Sequence, residues 1–335
     1  MPEVPGERIP AARDSPYGAA ILVVGPERSG TSWIATALSR GTGSRYLHEP
    51  DSPGVNPLAR HEPTLSRYPV LEPGDDGPEL AGYVALWDAA FSGDWPIRPV
   101  PEAVVDAFSR LPPSVERPAT RAARSLLQAS RRAKLRLWPA RPQRGGDGGA
   151  VLVKTVYALF ALEWLVARYR PRRVVAVRRD PLAVGASLYR LGTGPDRFEK
   201  LRRVYEHPLN RRRFVEPLGL PPLPARLDVP ESCAWWAGFT SVVMRETASQ
   251  HPDWIMLSHD DVARDPVASL GGVVRELGGT RLADLERYLA RSKRPGKGYS
   301  MRRPGAGPAE GWRGSLSPDE QRRMRRVIER FDGSR

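Results

Sequence analysis

The architecture of this 335-residue protein can be predicted outward from one segment, Ala19-Ala-Ile-Leu-Val-Val-Gly-Pro-Glu-Arg-Ser-Gly-Thr-Ser-Trp33. Its first half is a continuous apolar run that ends at Gly25, which is typical of a buried parallel strand. After a six-residue loop, the helical spacing of apolar residues predicts a helix that ends at Gly41. Backbone N–H groups converge where such a loop meets a helix, so the segment predicts an oxyanion site.

Similar strand and helix patterns recur along the rest of the chain. Short apolar runs predict further strands at 151–153, 173–177 and 254–257. Amphipathic or capped segments predict helices at 157–169, 181–191, 266–277, 280–291 and 317–331. Strands that alternate with helices predict a doubly wound α/β fold with a central parallel sheet, a P-loop-like strand–turn–helix unit and a C-terminal helix.

Composition changes divide the chain into a core and excursions from it. We predict an extended or disordered arm over 1–18 and one domain over 19–335, with a helical insertion at about 63–149 that is richer in proline. Within the insertion, 117–144 carries arginines interleaved with leucines. This pattern favours a solvated helix that packs through its leucines, and the alternative is a docking surface for an anionic or lipid-linked acceptor or a membrane surface.

The composition limits the classes of function. The formal charge of +14 attracts anions without choosing among them, and a GC-rich genome would also favour arginine. A single cysteine, Cys233, excludes an intrachain disulfide framework, and the five histidines are scattered without metal-ligand spacing, so no metal is expected. Residues 1–18 lack the apolar core of a signal peptide, which predicts a cytoplasmic protein. No recognised nucleic-acid motif is present, so no nucleic-acid partner is expected.

The loop itself argues against nucleoside triphosphate chemistry. Gly25 and Gly30 have the spacing of a P-loop, but Thr31 stands where a nucleoside triphosphatase has the lysine that reaches the β- and γ-phosphates. The basic residue is instead Arg28, inside the loop. A donor with one 5′-phosphate and a terminal sulfuryl group fits this loop better than ATP does.

Two motifs resemble those of the PAPS-dependent sulfotransferases, which use 3′-phosphoadenosine 5′-phosphosulfate. Glu27-Arg-Ser-Gly-Thr-Ser-Trp33 resembles the 5′-phosphosulfate loop of that family, and Val177-Arg-Arg-Asp-Pro-Leu-Ala-Val-Gly-Ala-Ser187 resembles its 3′-phosphate motif. Weaker likenesses follow at 254–266 and in the closing loop 309–313.

The resemblance implies a role for each matched residue. Arg28 would contact the leaving phosphate and the transferring sulfuryl group, and the 5′-phosphate would bind Ser29, Gly30, Thr31 and Ser32. Trp33 would stack near the adenine, or else pack in the core. The 3′-phosphate would bind Arg179 and Ser187, with basic residues of the closing loop region adding to it: Lys293, Arg294, Lys297, Arg302, Arg303 and Arg313.

The catalytic residues follow from the same resemblance. Lys154 resembles the lysine of the K-T-H run in the steroid and phenol enzymes, but Val156 replaces the catalytic histidine of that run. The Glu-Pro of the loop 45–50 resembles the carboxylate loop of the carbohydrate-type and bacterial branches, so Glu49 is the expected general base, with a pKa raised by burial. Alternatives are a structural ion pair between Glu49 and Arg28 or Lys154, or His48 as the base. His61 and Glu62 form a weaker second site.

These assignments predict an enzyme that transfers a sulfuryl group from PAPS to a hydroxyl of a small-molecule, carbohydrate or lipid-linked acceptor by in-line displacement. Two alternatives stay open: a P-loop nucleotide-dependent kinase, and an inactive polyanion-binding protein on the same scaffold. The acceptor and the oligomeric state do not follow from the sequence.

Overall fold

The structure is a computed structural model, and it describes residues 19–52, 59, 67–93, 150–191, 196–292, 314 and 316–332. Within these ranges five strands are present: β1 (Ile21–Val24), β2 (Arg45–His48), β3 (Val151–Thr155), β4 (Arg173–Arg178) and β5 (Ile255–Ser258). They form one parallel sheet in the order β2-β3-β1-β4-β5. The predicted α/β fold with a central parallel sheet is confirmed.

Helices cover both faces of this sheet. The α-helices of eight residues or more are α1 (Thr31–Thr42), α2 (Ala81–Ser92), α3 (Leu162–Tyr169), α4 (Pro181–Arg190), α5 (Asp196–Tyr205), α6 (Val229–Ser249), α8 (Pro266–Glu276), α9 (Leu282–Ser292) and α10 (Pro318–Asp332). A short helix, α7 (His259–Arg264), follows β5 directly. Shorter helical turns lie at Pro78–Leu80, Ala158–Ala161 and Pro208–Asn210, and a π-helical turn at Arg211–Val215.

Strand alternation splits the core into two layers. In β1, Leu22 and Val24 face a cluster built with α2, α3, α4, α6 and α10. Ile21 and Val23 face the opposite cluster, built with α1, α8 and α9. Successive side chains of a strand point to opposite faces, so an apolar run with no alternation is buried on both sides. This is why the 19–25 segment identifies a central strand.

Several elements differ from the sequence predictions, and the helices α5 and α7 were not predicted. The segment 45–50, which was predicted as a loop, begins with an edge strand, β2. Most residues of this strand are polar, so it lacks the apolar run that predicts the other strands. The predicted helix 157–169 is a 3₁₀ turn at Ala158–Ala161 followed by α3. The longest helix, α6, was not predicted, because it is apolar on most sides and lacks an amphipathic period.

The predicted C-terminal helix is present as α10, with a capping box at its start. Ser317 Oγ accepts the Glu320 N–H at 3.2 Å, and Glu320 Oε2 accepts the Ser317 N–H at 2.7 Å. Part of the predicted insertion also packs in the main core, since Tyr83 and Trp87 of α2 are buried there. No helix of the described residues is long and apolar enough to cross a membrane.

Candidate functional site

The loop between β1 and α1 is a tight, glycine-dependent turn. Gly25 lies so close to β4 that a Cβ atom there would stand 2.4 Å from the Val177 carbonyl oxygen. Gly30 has φ +90°, and a Cβ at that position would meet the His259 ring at 2.2 Å. Arg28 also adopts a left-handed φ of 67°, which is uncommon outside glycine and occurs at functional turns.

The start of α1 provides the geometry of an oxyanion site. The helix begins at Thr31, after Gly30, and no side chain of the described residues caps it by a hydrogen bond. The first N–H groups of any α-helix lack intrahelical acceptors, and the helix dipole favours an anion beside them. Ser29 Oγ is buried in this loop and finds no hydrogen-bond partner among the described residues. These features fit a phosphate group.

The two predicted nucleotide motifs meet in space. Arg28 Nε donates to Ser187 Oγ of α4 at 3.0 Å, across 159 positions of the chain. Arg179 Nη1 donates to the Arg28 carbonyl oxygen at 2.9 Å. Asp180 caps α4 by accepting the Leu182 N–H at 2.9 Å, so it fixes the turn, as the sequence predicted.

Glu49 and Lys154 form a second centre at the same edge of the sheet. Lys154 is the last but one residue of β3 with only 1% of its side chain exposed, and its Nζ donates to Glu49 Oε1. The Glu49 N–H donates to the Lys154 carbonyl oxygen at 2.7 Å, and Glu49 has a left-handed φ of 47°. In the sheet register, Lys154 pairs with Val23 of β1, the strand that leads into the loop before α1. The ion pair that the sequence left as an alternative for Glu49 is therefore present.

The predicted direction of the Glu49 pKa is wrong. Burial pushes the pKa of Glu49 up, but the Lys154 ammonium, assisted by His48 and Arg67, outweighs it, and the pKa lies below the ordinary value. The sequence offered Lys154 as an ion-pair partner, but whether that charge outweighs burial depends on how close the two groups come in the folded protein. Glu49 is consequently ionised at neutral pH and able to accept a proton.

His48, the alternative base, lies between Tyr46 and Glu49 in the chain and contacts the side chains of both. Tyr46 Oη lies 2.8 Å from His48 Nδ1, and His48 Nε2 lies 3.8 Å from Glu49 Oε2. Packing of the ring against protein and the nearby Lys154 charge lower the pKa of His48 to about 4. If the Tyr46 hydroxyl donates to Nδ1, Nε2 carries the proton of the neutral ring and faces the carboxylate.

Trp33 lies in the core layer under α9. It is 7% exposed, its Nε1 donates to Ser292 Oγ at 3.2 Å, and its ring meets the His259 ring edge-on at 6.2 Å between centroids. Core packing of this kind was the predicted alternative to adenine stacking. The stacking role stays a prediction.

Several residues near the site were not anticipated. Asp51 is buried and accepts the Thr155 hydroxyl at 2.7 Å. Glu27 of the loop pairs with Arg197 of α5 at 3.3 Å. The Tyr157 phenol accepts a hydrogen bond from Arg67. The charges of both Glu49 and Glu27 raise the pKa of Tyr157. This tyrosine therefore lies within electrostatic reach of both the loop and the Glu49 centre. No local motif marks these residues, because each partner comes from a distant segment.

Other predicted residues lie outside the described part of the chain. These are Arg313 and the basic residues at 293–303, His61 and Glu62, the arm 1–18 and the basic segment 117–144. Among the residues that the structure does describe, no group of three or more His, Cys, Asp or Glu side chains could hold a metal ion.

Comparisons with known proteins show a distant likeness to solved structures. No family model and no curated protein sequence matches the chain. Among solved structures, the sulfotransferase STF9 of Mycobacterium avium matches with a TM-score of 0.39 and 15% identity, over 91% of this chain and 77% of that one. A likeness at this level does not carry an activity from one protein to the other.

Proposed function

We propose that this protein is a sulfotransferase that moves a sulfuryl group from PAPS to a hydroxyl acceptor. The observation that carries the proposal is the meeting of Arg28 with Ser187 and Arg179, which joins the loop at β1 to the turn after β4. Motifs for the two ends of a 3′,5′-bisphosphate are thereby brought to one edge of the sheet. Ligand sites of open α/β sheets lie at this edge, outside the carboxyl ends of the strands.

The residues present suit an anionic donor of this type. The amide groups at the start of α1 and the buried Ser29 hydroxyl would hold the 5′-phosphate. Arg179 and Ser187 would hold the 3′-phosphate through a charge-assisted hydrogen bond and a hydroxyl. PAPS supplies the activated sulfuryl group, bonded through oxygen to its 5′-phosphate.

In the proposed reaction, Glu49 receives the proton of the acceptor hydroxyl. The acceptor oxygen forms a bond to sulfur while the bond from sulfur to the bridging phosphate oxygen breaks. Arg28 and Lys154 stabilise the negative charge that develops on that bridging oxygen. A hydroxyl proton becomes strongly acidic as its oxygen binds sulfur, so a carboxylate whose pKa is lowered by Lys154 still suffices as the base.

The first experiment measures thermal stabilisation by nucleotides. We expect 3′-phosphoadenosine 5′-phosphate (PAP) to raise the melting temperature, with smaller shifts for AMP and for ATP with Mg²⁺, because a ligand stabilises the state that binds it. Arg179→Ala should abolish the PAP shift. Arg173→Ala removes an exposed arginine from the other end of the same strand and should retain the shift.

Turnover is then followed with ³⁵S-labelled PAPS and a panel of glucose, n-octyl glucoside, 1-hexanol and p-nitrophenol. Label transfer to an acceptor would establish the activity and its acceptor class. Stabilisation by ATP with Mg²⁺ equal to that by PAP would overturn the proposal in favour of a kinase. PAP binding with no transfer to the panel and no hydrolysis of PAPS would favour an inactive polyanion-binding protein.

A further inference from the structure

Asp51 is a buried carboxyl group two residues beyond Glu49, and the reaction above does not use it. It is 7% exposed, and its Oδ2 accepts the Thr155 hydroxyl at 2.7 Å. Its Oδ1 is also buried and finds no hydrogen-bond partner among the described residues. A carboxyl group buried in this way calls for an explanation.

Thr155 links this carboxyl to the turn that follows β3. Its Oγ1 donates to Asp51 and accepts the N–H groups of Tyr157 at 3.1 Å and Ala158 at 3.3 Å. A hydroxyl has one donor and two acceptor sites, so every hydrogen-bonding position of Thr155 is in use. This saturation gives the side chain one orientation and fixes the position of the Asp51 carboxylate relative to β3.

The Asp51–Thr155 hydrogen bond joins the same two segments of the chain as the Glu49–Lys154 pair, and both Glu49 and Lys154 act on the pKa of Asp51. Lys154 precedes Thr155 in β3, and Glu49 precedes Asp51 by two residues. The segment 49–52 leaves the edge strand β2 with a left-handed residue at Glu49, a conformation that needs support from surrounding contacts. Its supports include the hydrogen bond from the Glu49 N–H to the Lys154 carbonyl oxygen, the bond from the Ser52 N–H to the Glu49 carbonyl oxygen at 3.0 Å, and the bond between Asp51 and Thr155.

We propose that Asp51 is a positioning residue, which acts through Thr155 to hold the Glu49 carboxylate against Lys154. The effect of Asp51 on turnover rests on the proposed function. Its effect on the position of the Glu49 carboxylate does not. The electrostatics agree with it: burial, with a contribution from the Glu49 charge, raises the pKa of Asp51 to about 7. Below that pH Asp51 is mostly neutral, so it does not compete with Glu49 for the Lys154 ammonium.

The test compares Thr155→Val, which keeps the shape of the side chain and removes the hydroxyl, with Thr155→Ser, which keeps the hydroxyl. The readout is the titration of Glu49 by ¹³C NMR of protein labelled at glutamate Cδ, with the resonance assigned by its loss in Glu49→Gln. We expect the Glu49 pKa to move up toward the ordinary value of about 4.3 in Thr155→Val, because the pair with Lys154 loosens. Thr155→Ser should titrate like the wild type.

Controls separate positioning from a general loss of structure. Thr240→Val removes another buried threonine hydroxyl, bonded within α6 to the Trp236 carbonyl, and should leave the Glu49 titration unchanged. If Thr155→Val fails to fold, Asp51→Ala breaks the same bond from its other end and should give the same upward shift. A Glu49 titration identical in the folded Thr155→Val or Asp51→Ala variant and in the wild type would overturn the proposal.

A kinetic readout connects the role to turnover. With ³⁵S-labelled PAPS and water as acceptor, Thr155→Val should hydrolyse PAPS about tenfold more slowly or worse, since small misplacements of reacting groups have effects of this size. Its KM for PAPS should stay near that of the wild type, because the proposed phosphate contacts lie in the loop after β1, in the turn after β4 and on α4. The NMR titration needs no PAPS, so failure of the proposed function would leave the positioning claim separately testable. An equal fall in the rate of PAPS hydrolysis in Thr155→Ser would contradict the positioning role of Asp51.

Discussion

The two halves of the sheet's carboxyl edge use their charged residues differently. On the β1 and β4 side, Arg28 donates to a serine hydroxyl and Arg179 to a backbone carbonyl. On the β2 and β3 side, Lys154 is buried against the Glu49 carboxylate. Guanidinium groups form charge-assisted hydrogen bonds to anions, whereas a buried ion pair fixes the protonation state of its members. The first half is thus suited to anion binding and the second to proton transfer.

The largest effect on turnover should come from neutralising Glu49 on the β2 and β3 side. Glu49→Gln keeps the side-chain shape and removes the base, so transfer from PAPS to the best acceptor of the panel should fall by about 10²–10⁴-fold. The thermal shift with PAP should persist, because that ligand uses the other half. Glu216→Gln, at an exposed carboxylate paired with Arg211, is the control and should turn over normally. Turnover within threefold of the wild type in Glu49→Gln would place the base elsewhere.

An intermediate effect, on nucleotide affinity, should follow from removing a hydrogen bond on the β1 and β4 side. Ser187→Ala removes the hydroxyl that Arg28 contacts and that we assign to the 3′-phosphate. Because hydrogen bonds to charged groups contribute about 1.5–3 kcal/mol, PAP affinity should fall by about 10–100-fold in calorimetric titration. The affinity for AMP, which lacks the 3′-phosphate, should change little. Ser39→Ala removes a buried serine hydroxyl within α1 and should leave PAP affinity intact. Equal losses for PAP and AMP would contradict the assignment.

The last predicted effect concerns the pH dependence of stability at the second half. The pKa of Asp51 is raised to about 7 in the folded protein, mainly by burial, against about 4 in an unfolded chain. Between these values the folded state keeps a proton that the unfolded state has released. The free energy of unfolding should therefore decrease as pH rises from about 4 to about 7, and this contribution should level off above pH 7.

Asp51→Asn removes this titration while keeping an oxygen that accepts the Thr155 hydroxyl. Its free energy of unfolding, measured by urea denaturation at several pH values, should fall less steeply over that window than in the wild type. Other groups near Asp51, namely Glu49, Lys154 and Tyr83, stay in place in this comparison. The exposed Asp253→Asn serves as the control. An unchanged slope in Asp51→Asn would show that this carboxyl does not titrate in the window.

Some elements of the fold could be predicted from the sequence and others could not. The loop 25–32, the strands β1, β3 and β4 and the turn at Asp180 follow from local patterns, because continuous apolar runs, glycines and helix caps act over a few residues. The edge strand β2 and the helix α6 lack such patterns. The first is polar and half exposed, and the second is buried on most sides.

By itself, the sequence determined the α/β class, the position of the oxyanion loop and the identity of the charged residues that end neighbouring strands. Only the tertiary structure decided how those residues pair. Lys154 reaches Glu49, Thr155 reaches Asp51 and Arg28 reaches Ser187, each across more than a hundred positions. A pKa depends on the charges and solvent around a group in space, so the low pKa of Glu49 and the high pKa of Asp51 exist only once the parallel strands have brought those partners together.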